Sequence, residues 1–571
     1  MSPLISSMAQ WMIPASTSAG PRYLRLVPLA LFHLAALVIM VVNEEGPVRM
    51  SVYILTWGFL NFFLLILLRR PALVAALSLA IFAGVIWVSR FKFNVIWTTL
   101  NFTDVMIIDA ETFAFLWAVL PEFRTIALIS VAVAVPVVIV LWRIDPWRIR
   151  RRTAAAAAVA CFTAVVGISL AFPYDEGETF GEFNNISIFV RSGVEGAQIY
   201  ANQGFMESDA VVTEQLMLAN DEVCHPTGRR PHIILLHDEA SFDIRAVKDI
   251  KVPEGYGEHF KSVDGRTRTL LIEGAGGPSW YTEYNVLAGL SSRSFGRFQF
   301  FVTRIAAGRV QRGLPRALRR CGYLTFSIYP VHGGFMGTRS FYGGVGVERF
   351  IDGQDIRGRA TEPDRFYFDY AARMIAQEHH KAPMFLHVYL TANHWPYEEP
   401  YRPDLTPAGW RDPGNAMREV NEYLRRQAMT EHDYRDFVAR LKREFPGEPF
   451  LIVRFGDHQP DFAKLIIDPK IPVEELSRRI MTYDPRYYSA YYAVNAINYQ
   501  PVDLSSALDV LDAPYLPIVV QEAAGLPLDP TFAEQKRIFQ RCRGLFYACG
   551  NGAEARRFNR LLIDAGLIKG L

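Results

Sequence analysis

"HIILLHDEASFD", residues 232–243, is an apolar run that stops at the acidic pair Asp238-Glu239. Three later stretches repeat the pattern. "YLTFSIYPVHGG" (323–334) runs into His332, "MFLHVYLTANHWPY" (384–397) into Asn393 and His394, and "FLIVRFGDHQPD" (450–461) into Asp457, His458 and Asp461. Helical stretches lie between them. Short apolar strands alternating with helices predict an α/β fold with a largely parallel sheet. Such sheets bind ligands beyond the carboxyl ends of their strands, so four polar strand ends predict one site. Each cluster alone is more often a cap or a solvated turn. Their joint placement points to a site.

The amino-terminal 172 residues differ in character. A bilayer-spanning helix needs roughly 20 mostly apolar residues. Five runs qualify as candidates, at 24–43, 51–68, 72–89, 125–142 and 154–172. Arg22 and Arg25, the pair Arg69-Arg70 and the cluster "RIDPWRIRRR" (143–152) mark the cytoplasmic ends. That orientation sends everything after residue 172 to the outer face. Arg90 and Lys92 oppose it. Residues 93–122 mix aromatics with acids and are expected as helices at the outer interface. Residues 1–175 are thus expected as a five-helix transmembrane domain, 229–571 as the exported domain, and 176–228 as a linker wrapping onto that domain. A net charge of +2 over 571 residues leaves no basic field for a nucleic-acid partner. Cys224, Cys321, Cys542 and Cys549 fall in the exported part, an even number that suits disulfides; Cys161 lies within a span. Cys542 with Cys549 and Cys224 with Cys321 is one pairing, which spacing alone does not fix.

Glu239, Asp457 and His458 offer two carboxylates and an imidazole, a donor set for Zn²⁺, Mn²⁺ or Mg²⁺. A further candidate comes from "LIEGAGGPSWYTEYNVLAGLSSRSFG" (271–296). No lysine follows its glycines, so it is not a Walker-type phosphate loop. Gly274 and Gly276 match a dinucleotide fingerprint, but Ser279 holds its third position. Trp280-Tyr281-Thr282 follows Ser279 in place of x-Pro-x-Arg, so formylglycine formation is excluded. What remains is a glycine turn, Pro278, and Ser279 opening an amphipathic helix. A hydroxyl there either caps the helix or becomes a metal-activated nucleophile at the positive end of its dipole. Taken alone, such a serine is more often a cap. Thr282 supplies a second hydroxyl one turn on.

The combination resembles the lipoteichoic acid synthase family of the alkaline phosphatase/sulfatase superfamily. Five spans precede an exported α/β domain with a Glu after its first strand. A Gly-x-Ser/Thr-x-x-x-Glu-aromatic loop and a late Gly-Asp-His come after it. The resemblance implies an alkaline phosphatase/sulfatase-type α/β/α sandwich. It implies Glu239, Ser279, Asp457 and His458 as ligands of one divalent ion, with Ser279 also the nucleophile. His332 and Arg339 fall where the family holds the phosphate and head group, and His394 where a histidine stands beside the scissile phosphate. Serine replaces the family's threonine, and Gly337 its tryptophan two before the arginine. The implied enzyme is a multi-pass protein of the bacterial inner membrane with a periplasmic catalytic domain. It moves phosphoglycerol from phosphatidylglycerol, through a covalent serine, to a glycan or polymer. A phosphoethanolamine transferase, a metal-dependent phosphodiesterase or other hydrolase, and a silent lipid-binding protein of the same fold are the alternatives.

Overall fold

The computed structural model describes residues 12–14, 26–96, 98–108, 110, 112–113, 117, 121–145, 147–216, 224, 228–359 and 361–571. The chain divides into two compact units. One comprises Met1–Asn202 with Pro472–Met481, the other Gln203–Ile471 with Thr482–Leu571.

In the first unit α1 is Val27–Asn43, α2 Pro47–Leu68, α3 Pro71–Ile96, α4 Pro121–Ile144, α5 Arg151–Ala171 and α6 Asn185–Gln203. Pro47, Pro71 and Pro121 each open a helix, where the missing N–H costs nothing. Among the described residues four helices are long and apolar enough to cross a membrane: α2, Pro71–Asn94 of α3, Phe123–Ile144 of α4, and α5. The first expected span forms only the 17-residue α1, about 26 Å at 1.5 Å per residue. Arg22 and Arg25 lie outside the described residues, as do 97, 109, 111, 114–116 and 118–120; within 93–122 Phe102–Ile107 forms a 3-10 turn.

The arginines at the α2–α3 and α4–α5 junctions meet. Arg70 Nη1 donates to the Asp145 carbonyl (2.8 Å) and its guanidinium lies over Trp142. The Asp145 carboxylate caps α3 by accepting from Ala72 N–H at 2.7 Å. Ile149 N–H donates to the Arg69 carbonyl. The two cations that opposed the orientation have partners instead. Lys92 pairs with Asp104 at 2.7 Å, and Arg90 donates to Asn43 at 3.0 Å.

The stretch expected as a linker is largely ordered. Glu176–Phe180 is a 3-10 turn, and α6 comes next. Buried Glu44 satisfies the α6 amino terminus, accepting from Ile186 N–H (3.0 Å) and the Ser187 hydroxyl (2.5 Å). Residues 204–216 run along the second unit, where Glu207 N–H donates to the Ser294 carbonyl and Asn559 to the Glu207 carbonyl. Residues 217–223 and 225–227 lie outside the described residues.

The second unit is built on an eight-stranded sheet. β1 is His232–Asp238, β2 Arg268–Leu271, β3 Leu324–Ile328, β4 Arg349–Ile351, β5 Met384–Leu390, β6 Phe450–Gly456, β7 Ser489–Ile497 and β8 Val510–Asp512. The order is β8-β2-β7-β6-β1-β5-β3-β4, and only β7 runs antiparallel to its neighbours. The four strands read from the sequence are the contiguous set β6-β1-β5-β3. Their central members β1, β5 and β6 are buried at every residue, as a sheet covered on both faces requires. One face packs on helices Asp364–Glu378 and Arg418–Glu444 through Ile234, Leu236, Phe368 and Phe437. Disulfides join Cys224 to Cys321 and Cys542 to Cys549.

Candidate active site

Strand alternation sorts the residues at the end of β1. Ile234 and Leu236 face the helical core, so His237 and Glu239 project from the opposite face. Asp238 goes the other way, accepting from the Tyr491 hydroxyl and lying 3.6 Å from His259. In register, His237 is flanked by Tyr389 of β5 and Phe455 of β6. Its ring stacks on Tyr389 at 3.8 Å and lies 5.0 Å from Phe455. The Tyr389 hydroxyl donates to Glu239 Oε2 at 2.5 Å, so one tyrosine orients both side chains.

β6 ends at Gly456, where a Cβ would collide with the Ser241 carbonyl oxygen. Only glycine lets the ends of β1 and β6 close on one another. Asp457 Oδ1 then accepts from Ala240 N–H and His458 N–H, both at 2.8 Å, which aims Oδ2 at the centre. His458 Nδ1 donates to the Gln459 carbonyl (2.8 Å), an acceptor only, and turns Nε2 inward.

The glycine loop supplies the hydroxyl. Gly276 takes φ +68°, a left-handed turn that glycine favours. Ser279 is the first residue of the helix Ser279–Ala288, with Pro278 as N-cap and no side-chain capping bond. Its Oγ lies 3.4 Å from Glu239 Oε2 and 3.3 Å from His458 Nε2. Thr282 is fully buried and donates to the Asp457 carbonyl at 2.6 Å.

The donor atoms form a ring. His458 Nε2 lies 3.2 Å from Glu239 Oε1 and 3.5 Å from Asp457 Oδ2, which lies 2.9 Å from His237 Nε2. Atoms bound to one cation at about 2.0–2.2 Å stand about 3–3.5 Å apart, so these spacings fit a shared divalent ion. Asp457 Oδ2 is buried with no hydrogen-bond partner among the described residues, a condition that a cation would relieve. The structure thus brings Glu239, Ser279, Asp457 and His458 together. It adds His237, which the sequence reading missed although it stands two residues before Glu239 on the same strand face.

Burial opposes charge on His458, but Asp457 and Glu239 outweigh it and push its pKa up to about 10. Burial also opposes charge on Asp457, yet His458 and His237 hold it below the usual carboxylate range. An entering cation therefore competes with a proton on His458.

The other expected residues stand apart from this ring. Arg339 Nη2 donates to buried Asp352 at 2.7 Å, and Nη1 to the Phe350 carbonyl. Asp352 also accepts from Gly333 N–H, so this pair holds the turn that carries His332. His332 Nδ1 accepts from Gly334 N–H (3.0 Å), which places its proton on Nε2. Phe335 of that turn meets Trp280 edge to face at 6.2 Å, beside Ser279. His394 is exposed, with Nδ1 donating to the Trp395 carbonyl (2.6 Å). No hydrogen bond or ion pair joins it to the metal-type centre among the described residues.

Residues 277–484 match the Sulfatase family. The matched stretch holds Ser279, His332, Arg339, His394, Asp457 and His458, while Glu239 precedes it. Most of the matched stretch belongs to the second unit, and it lacks the formylglycine motif. An uncharacterised protein of Haemophilus influenzae is 25% identical over 214 residues, 34% of this chain and 38% of that protein. The chain thus spans just over a third of that relative. Among solved structures it is similar to the Streptococcus pyogenes phosphoglycerol transferase GacH in complex with sn-glycerol-1-phosphate (14% identity, TM-score 0.46, 61% of this chain and 92% of that one). It is also similar to the lipooligosaccharide phosphoethanolamine transferase EptA of Neisseria meningitidis (11% identity, TM-score 0.44, 88% and 95%).

Proposed function

We propose that this chain is a membrane-anchored, metal-dependent phosphotransferase using Ser279 as its nucleophile. The donor is phosphatidylglycerol and the acceptor an extracytoplasmic glycan or polymer. One observation carries the reading. The Ser279 hydroxyl meets Glu239 and His458 within 3.4 Å at a buried carboxylate centre. The apolar helices support a lipid donor, since they hold the domain at the surface that supplies it.

When bound, the divalent ion supplies Lewis acidity, stabilising the serine alkoxide and the charge on the reacting phosphate. Ser279 Oγ attacks phosphorus, forming an Oγ–P bond as the bond to the diacylglycerol oxygen breaks. The serine proton leaves by way of the Glu239 carboxylate, towards which the hydroxyl points, to solvent; the departing oxygen takes up a proton from His394, the proposed donor, which is recharged from solvent. The acceptor hydroxyl then attacks phosphorus, the Oγ–P bond breaks and the acceptor's own proton passes to the serine oxygen. His332 Nε2–H and the exposed edge of Arg339 are the proposed contacts to phosphate and glycerol. Arg339 is partly neutralised by Asp352, so its role combines holding the turn with binding. The proposed setting is a bacterial inner membrane, with the second unit in the periplasm.

Purified full-length protein given labelled phosphatidylglycerol or phosphatidylethanolamine with Mn²⁺, Mg²⁺ or Zn²⁺ tests this. Diacylglycerol release from phosphatidylglycerol, abolished by Ser279→Ala, is expected. Release from phosphatidylethanolamine alone makes the enzyme a phosphoethanolamine transferase. Release at an unchanged rate without any acceptor makes it a hydrolase. No release from either lipid overturns the enzymatic reading.

A further inference from the structure

We propose that His237 is a fifth protein ligand of the same centre and biases it towards zinc over magnesium. The inference rests on the metal-site reading above and adds a residue and a metal class to it.

His237 and Asp457 both have 0% side-chain exposure. Neither ring nitrogen of His237 has a hydrogen-bond partner among the described residues, and neither does Asp457 Oδ2. His237 Nε2 and Asp457 Oδ2 are 2.9 Å apart, yet they lack the alignment of a hydrogen bond. The pair is a close ion pair when His237 carries a proton; with neutral imidazole the two buried lone pairs face one another, which is costly unless a cation lies between them. A metal ion bound by both would be that cation. Bonds of about 2.1 Å meeting near a right angle separate ligand atoms by about 3 Å.

The placement of His237 supports the same reading. Ligand atoms of His237, Glu239 and Asp457 all lie within 4.8 Å of one another. Period-two alternation sends His237 and Glu239 to one face of β1, while the intervening Asp238 joins a separate network with Tyr491 and His259. Tyr389 and Phe455 clamp the imidazole from the two neighbouring strands, which fixes its ring beside Asp457.

His237 changes the chemistry of the donor set. Without it the centre offers three oxygen donors and one imidazole. With it the set holds two imidazole nitrogens, from His237 and His458. Magnesium favours an oxygen shell and retains water, whereas imidazole suits zinc and the later transition metals.

The test uses the full-length protein in detergent, stripped of metal by chelation. Zn²⁺ affinity is read by competition with a chromophoric chelator and Mg²⁺ affinity by competition with Zn²⁺. His237→Phe keeps an aromatic ring in the slot between Tyr389 and Phe455, and His237→Gln keeps a polar side chain there. Both are expected to weaken Zn²⁺ binding by about 10–100-fold, while Mg²⁺ binding changes by less than about threefold. A role confined to orienting Asp457 would lower affinity without removing a ligand, so a second readout is needed. The Co²⁺-loaded wild type should show two paramagnetically shifted imidazole N–H resonances, and each variant only one. Two resonances retained in His237→Phe, or unchanged Zn²⁺ affinity in both variants, overturn His237 as a ligand and leave the metal site standing. If the wild type binds no divalent ion, the underlying reading falls as well.

Discussion

Ser279 and Thr282 sit one turn apart at the start of the same helix, and their surroundings give them different work. Thr282 donates to the Asp457 carbonyl, so its oxygen is committed to holding a ligand residue in place. Ser279 faces Glu239 and His458. Ser279→Ala is expected to cut diacylglycerol release by about 10³-fold or more, with Zn²⁺ still bound. Thr282→Val keeps the volume but leaves the Asp457 carbonyl unsatisfied. It should cost about 1–3 kcal/mol of stability in denaturant melts and spare most of the turnover. Covalent labelling that survives Ser279→Ala and disappears in Thr282→Val would reverse the two roles. Spacing alone left this choice open, because both hydroxyls fit the loop pattern; their different hydrogen-bond partners are what support Ser279 for the proposed role. His237 was hidden for another reason. "HDE" reads as a strand meeting an acidic turn, and only the pairing of His237 with Tyr389 and Phe455 reveals which face it occupies.

At the scale of elements, the four strands β6-β1-β5-β3 were legible because each is an apolar run ending in polar residues. The edges were not. β2, β4 and β8 have only three or four residues, and β7 is an aromatic-rich antiparallel strand that ends without a polar cluster. The loop after β5 shows how an element is fixed by a residue remote in sequence. Asp364, at the start of its helix, accepts from Thr391 N–H, Ala392 N–H and the Thr430 hydroxyl, and so pins the segment that carries Asn393 and His394. Burial pushes its pKa up to about 7, with Asp238 and Asp433 adding to the rise and the Thr430 and Ala392 bonds opposing it. The folded-state value lies above the unfolded one. The stabilisation from the neutral carboxyl is therefore complete below about pH 4 and is lost as pH rises through 7. Asp364→Asn stays neutral throughout. Wild-type stability should fall relative to this variant between pH 4 and 8, by up to about 4 kcal/mol. Urea midpoints followed by tryptophan fluorescence across that range check it, and parallel curves would remove Asp364 as the titrating group.

Across the whole molecule, orientation in the membrane follows the balance of Lys and Arg in the short segments on either side. The α2–α3 and α4–α5 junctions bring Arg69 and Arg70 beside the "RIDPWRIRRR" cluster. At the other ends Lys92 is paired and Arg90 is hydrogen-bonded. The arginines of those two junctions outnumber Arg49, Arg90, Lys92 and Arg124 at the other ends, so the Lys/Arg count favours the junctions as the cytoplasmic side. With the arginine junctions in the cytoplasm, residues 44–46 and everything after α5 lie on the outer side, whether or not α1 crosses. The two disulfides of the second unit suit that oxidising side. Only the amino terminus depends on α1, whose 17 residues reach about 26 Å against an apolar core of about 30 Å. A helix this short can still cross where the bilayer thins, at a modest cost. Five crossings are therefore expected. In spheroplasts, a carboxyl-terminal tag should be cut by added protease while an amino-terminal tag survives until lysis. Cleavage of both tags would mean that α1 stays on the outer face and four helices span. Protection of the carboxyl-terminal tag would invert the orientation and remove the site from any extracytoplasmic acceptor.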